Sequence, residues 1–128
     1  MAIGTSTVHD GRLVGGSIQP MDDIGLVRII AFGEAGPPGD RLDEFHRLCG
    51  MVNPLLVDTT FELDVDLAMP VCRATVRVTG DDTADAAAVL TALGRVTSTF
   101  ARCVSGALAV IDEGLSADEG IDRIRGRG

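Results

Sequence analysis

His46 is the side chain of this sequence best suited to moving a proton near neutral pH. Asp43 lies three residues before it, which on a helix puts a carboxylate on the same side, where it can orient the imidazole as a general base. Cys49 lies three residues after it, so a Cys/His pair on one helix has to be weighed as well. Against that pair, Leu42, Phe45, Leu48, Cys49 and Val52 recur at helical spacing and form an apolar stripe. A thiol on such a stripe is buried, its pKa rises, and it is inert. His46 stands at the stripe's edge, where the alternative to a base is a partly solvated boundary histidine.

Upstream, "FGEAGPPGD" joins an apolar run to this helix, the arrangement that cradles phosphates in many nucleotide-binding proteins. The residues argue otherwise. Gly33, Gly36 and Gly39 are spaced by three, neither a Walker nor a dinucleotide pattern. Pro37 and Pro38 have no N–H to donate, and Asp40, Asp43 and Glu44 put negative charge where an anion would sit. The loop reads instead as a flap over a pocket at the strand's end, or as an exposed connector. Asp22 and Asp23 precede that strand and place two carboxylates near the same sheet edge, with a solvated acidic connector as the alternative. His9 and Asp10 sit at a turn, where Asp is expected for turn reasons alone.

Glu62, Asp64 and Asp66 alternate along one strand and invite a metal reading, but arginines on the next strand compete with any cation. The outer face of a sheet is the better account, and no metal or cofactor is expected. Cys49, Cys72 and Cys103 are odd in number and lack CxxC spacing, which points to reduced, buried thiols.

The elements that must position these groups follow from pattern. "STVHDGRLVGGSI" is a hairpin turning at Asp10-Gly11, and "LVRIIAF" is a buried central strand. Asp40 caps the first helix and Asn53-Pro54 ends it. In "TTFELDVDLAMPVCRATVRVTG", Phe61, Leu63, Val65 and Leu67 share one face, as do Cys72, Ala74, Val76 and Val78. A turn over Ala68 to Val71 would set Asp66 opposite Arg73, Asp64 opposite Thr75 and Glu62 opposite Arg77. A long helix capped by Asp81 or Asp82 follows, with Thr91, Arg95, Ser98, Arg102 and Ser105 as its one polar stripe. Its remaining girth is apolar or small, so it is expected to be covered on two sides. "SADE" then has the capping-box spacing that opens a short terminal helix.

The expected fold is therefore a two-layer α+β sandwich: a mostly antiparallel sheet of four to five strands, with a short helix, one long helix and a short C-terminal helix on one face. The element order is similar to a ferredoxin-like order without its closing strand. One domain is expected over residues 1–128, made of an N-terminal hairpin (1–20), a core (26–115), and a short helix with a basic tail (116–128).

Composition limits function. A net charge of −8, with the local basic cluster confined to Arg123, Arg125 and Arg127, argues against nucleic acid. Arg95 and Arg102 interrupt the most apolar region, which argues against a membrane span. The opening residues show no secretory pattern, and a cytoplasmic setting is expected. All 11 basic residues are Arg, and Lys and Tyr are absent, so proton-transfer and Schiff-base groups are scarce. The leading expectation is a small self-associating ligand-binding or accessory subunit, since the long helix has more apolar surface than one chain can cover. The alternative is a cofactor-independent isomerase, lyase or hydrolase, with His46 as base, Asp43 as its orienter and the Gly33 to Gly39 loop closing over the substrate.

Overall fold

A two-residue turn suits the twist of a β-hairpin, and the first strands pair accordingly. β1 (Ile3–His9) and β2 (Arg12–Met21) are antiparallel, and the His9–Arg12 pairing leaves only Asp10 and Gly11 between them. The computed structural model describes residues 3–9, 12–21, 24–33, 37, 39–64 and 69–126. Beyond the hairpin come β3 (Leu26–Phe32), α1 (Leu42–Val52), β4 (Thr60–Asp64), β5 (Met69–Arg77), α2 (Asp82–Ile111) and α3 (Ala117–Ile124). Every strand pairing is antiparallel, in the order β1-β2-β3-β5-β4, so "LVRIIAF" is indeed the central strand. β3, α1 and β4 form a split β-α-β unit with β5 inserted between its strands.

The helices share one face of the sheet. Val27, Ile29 and Ala31 of β3, with Cys72 and Ala74 of β5, meet Phe45, Leu48 and Val52 of α1 and Val96, Phe100, Cys103 and Val104 of α2. Phe61 of β4 stands between Phe45 and Phe100, with ring centroids 5.9 and 6.1 Å away, so three aromatic rings tie α1, the sheet and α2 together. All three rings are fully buried, each contributing about 2–3 kcal/mol of apolar transfer. The three thiols lie in the same core, and burial pushes Cys49 and Cys72 up to about 12 and Cys103 up to about 11.

The ends of the helices show which caps form. Asp81 caps α2, accepting from Ala84 N–H at 3.1 Å. Ser116 and Glu119 form the expected capping box of α3. Asp40 does not cap α1: it lies in a 3-10 turn, Gly39–Arg41, and the N-cap position is Arg41, which makes no side-chain cap bond. Arg41 instead reaches across the fold. Its guanidinium donates to the carbonyls of Val110 (2.9 Å) and Leu115, supplying the cation that the last turn of α2 lacks. Glu44 accepts from Ala117 N–H at 2.7 Å, and Arg47 pairs with Asp118 at 3.2 Å. α3 crosses α2 at Gly106 and Gly120, whose missing side chains let the two backbones approach.

Two further expectations are corrected. The β4–β5 register is slipped by six residues, with Thr60 opposite Arg73 and Phe61 opposite Cys72. The slip is an even number, so the inward faces stay as expected while every charge pairing changes. Pro70 belongs to β5 rather than to a turn, because its carbonyl still accepts from Gly33 N–H at 3.1 Å. The assignments to Val65, Asp66, Leu67 and Ala68 lie outside the described residues. The second correction concerns α2, which the chain covers only along its latter part. Val96, Phe100, Cys103, Val104, Gly106, Ala107, Ala109 and Val110 are buried, whereas no residue from 82 to 95 is, and Leu90 is 67% exposed. Within that stretch only Val89, Ala92 and Leu93 pack against the core, and each is covered in part. No described helix is long and apolar enough to cross a membrane.

Candidate functional site

The slipped register and the partly covered first half of α2 together leave a concavity between sheet and helix. β4 pairs with β5 only from Met69 to Arg73, so Ala74 to Arg77 have no strand on that side among the described residues. Immediately before β4 the chain turns away through Asp58, a non-glycine residue held at φ 61°. The result is a groove of about 900 Å³ between the open end of β5 and the helix. Thr59, Thr60, Arg73, Thr75 and Val76 line it from the sheet side, and Ala87, Ala88, Thr91 and Ala92 from α2. Arg95 and Asp58 pair at 3.0 Å along its rim.

Strand alternation defines what the groove offers. Val78 N–H donates to Gly25 at 2.9 Å and Pro70 accepts from Gly33, so even-numbered residues of β5 direct their peptide groups toward β3. Arg73, Thr75 and Arg77 therefore direct theirs toward the opposite edge. Arg73 meets Thr60 there, while Thr75 and Arg77 lie past the end of β4. The hydroxyl of Thr59, a residue only 7% exposed, lies beside the Cys72 thiol with no oxygen or nitrogen partner. The far edge of β4 is treated differently. The Asn53 carboxamide donates to the Phe61 carbonyl (2.9 Å) and accepts from its N–H (2.7 Å), closing that edge as another strand would.

Charge is unevenly distributed on the outer face of the sheet. Arg73 holds Glu62 at 3.1 Å and Asp64 at 3.2 Å, so one guanidinium bridges two carboxylates of the acidic row in place of the expected cross-strand pairings. Arg77, expected opposite Glu62, and Arg28, opposite Thr75 on β3, make no ion pair among the described residues. At the start of α2, Asp85 accepts from Thr79 N–H and hydroxyl and from Gly80 N–H, which holds its carboxyl below the usual 3.8.

The residues singled out by sequence are dispersed. His46 and Asp43 are exposed on α1, no hydrogen bond or ion pair joins them, and neither lines the groove. Cys49 is buried on the apolar stripe as expected. Gly33 continues the β3 ladder through its bond to Pro70, with the Phe100 ring 3.2 Å from where its Cβ would be. Gly39 opens the 3-10 turn. Gly36, Asp22, Asp23 and Asp10 lie outside the described residues, as does Arg127 of the tail, while Arg123 is held by Glu113 at 2.7 and 3.1 Å. No group of three metal-binding side chains occurs among the described residues. Thr59 and Arg28 emerge only from the structure, and Thr75 and Arg77 lose the partners expected for them on β4 because its pairing with β5 ends at Thr60 and Arg73. Compared with known proteins, the chain matches no family model, no curated protein and no solved structure.

Proposed function

We propose that the protein is a small self-associating binding or accessory subunit, which holds a ligand or partner rather than transforming it. The observation that carries this reading is the first half of α2: fourteen residues, 82–95, of which none is buried within the chain. Ala86, Leu90 and Gly94 recur there at four-residue spacing, a helical ridge small enough for a second helix to approach closely. The groove lies on another side of the same helix and supplies the binding surface, within the size range of ligand pockets. A cytosolic setting belongs to the same reading and is supported by three buried, unpaired thiols.

Sedimentation velocity at micromolar concentration tests the association. The native chain sediments as a dimer or larger symmetric species, and Leu90→Glu, which sets like charges against each other at the ridge, shifts it to monomer. A native chain that sediments as a strict monomer refutes self-association. For the ligand, thermal-shift screening of a metabolite panel reads binding directly, because a native-state ligand raises the melting temperature with the logarithm of its saturation.

A further inference from the structure

We propose that the open end of β5 receives an extended acidic peptide segment of a partner protein, which adds as a strand beside Thr75 and Arg77. The proposal rests on the reading of the protein as a binding subunit and specifies what its groove binds.

Three features of the fold converge on it. First, the peptide groups of Thr75, which lines the groove, and of Arg77 beyond it point to the free edge of β5, where no described strand meets them, which is the hydrogen-bonding half of a ladder. Folded proteins blunt such edges, and this one does so at Phe61, where the Asn53 carboxamide stands in for a strand, but not four positions beyond the last β4–β5 pair. Second, the helix wall opposite is built of Ala87, Ala88 and Ala92, whose short side chains leave depth for the inward-facing residues of an added strand. Third, the outer face at this spot is basic in a chain of net charge −8. Arg77 flanks Thr75 on β5, Arg28 lies opposite Thr75 on β3, and neither has an acidic partner among the described residues. Outward-facing residues of the added strand fall beside them, and cross-strand pairing of opposite charge selects Asp or Glu there. The preferred segment thus alternates small or apolar residues with acidic ones.

The probe is the blocked, fluorescein-labelled heptapeptide Thr-Phe-Glu-Leu-Asp-Val-Asp, the sequence of residues 60–66, which has this alternation. Anisotropy titration with the full chain is expected to show saturable binding that weakens as salt is raised. Two versions N-methylated at alternate peptide nitrogens distinguish a strand from a loose charge contact: one loses binding and the other keeps it. Arg77→Glu, an exposed position where the fold is checked by circular dichroism, weakens binding about tenfold or more. Arg28→Glu reads the same charge from the neighbouring strand. No saturation, equal binding by both methylated versions, or equal binding by both charge variants overturns the proposal. Dissociation of a native dimer by Arg77→Glu also overturns it, since it assigns the edge to a second copy of this chain. A dimer that ignores the peptide refutes this proposal alone, and a monomer that binds it refutes self-association alone.

Discussion

Replacing Gly106 with Ala tests the packing of the helical layer, because two opposing effects of known size meet at that residue. In the interior of a helix, Ala is favoured over Gly by about 1 kcal/mol. Here, however, the added Cβ would collide with the carbonyl oxygen of Gly120 and lie 2.6 and 2.7 Å from Cγ1 and Cδ1 of Ile124. The isoleucine can turn aside, but the carbonyl belongs to the backbone of α3, so α3 must retreat. A gap of that order forfeits a sizeable part of the dispersion contact along Ala117, Gly120, Ile121 and Ile124, all buried. Overpacking of this kind costs about 3 kcal/mol at the upper end of its usual range, leaving a net loss of about 2 kcal/mol. Gly50 in α1 has nothing within 4 Å of an added Cβ, so its Ala variant gains about 0.5–1 kcal/mol. The chain has no Trp or Tyr, so urea unfolding is followed by far-ultraviolet circular dichroism. The expected order is Gly50→Ala above wild type and Gly106→Ala below it, a spread of about 3 kcal/mol or roughly 10 °C in Tm. A Gly106→Ala protein as stable as Gly50→Ala would refute the close crossing of α2 and α3.

Three other measurements bear on the fold. Asn53→Ala removes both bonds to Phe61 and should cost about 2 kcal/mol, with faster exchange of the Phe61 amide by NMR as the local signature. The thiols of Cys49, Cys72 and Cys103 should resist a disulfide reagent in the native protein and all react once it is unfolded. Their native pKa values, about 11 to 12, lie above the ordinary 9.0, so the stability they contribute is intact below pH 9 and is lost as pH rises toward 11–12, visible as an alkaline unfolding transition. For Asp85 the sign is opposite. Its depressed pKa contributes stability above 3.8 that is lost as pH falls through the lower native value, so Asp85→Ala should be less stable than wild type at neutral pH and converge with it in acid.

Local signals were read correctly where the chemistry is local. The Ser116–Glu119 spacing and the period of "LVRIIAF" each involve neighbours in sequence, and the structure places both elements where those signals put them, while of the N-terminal hairpin it describes the paired strands and not Asp10 or Gly11. Register is a different kind of property. Sliding β4 by six residues preserves which side chains face inward, so hydrophobic alternation cannot distinguish the two pairings; the choice falls to Asn53, to the Phe45–Phe61–Phe100 contacts and to Pro70. The groove was illegible for the same reason, since full pairing of β5 would have filled it and matched Arg77 with Glu62. Asp40 shows a similar limit: its type suits a cap, but the 3-10 turn shifts the helix start beyond it. His46 and Asp43 were correctly placed on one helix, and their exposure depends on what α1 packs against, which periodicity alone does not state.

The reach of Arg41 to Val110 and Leu115 has a consequence for biosynthesis. A ribosome releases the chain from its first residue onward, so Arg41, Glu44 and Arg47 emerge long before the carbonyls, amide and carboxylate they will bind at residues 110–118. Until that distal stretch clears the exit tunnel these three side chains lack those partners, and a polypeptide ending ahead of residue 110 would lack all of them.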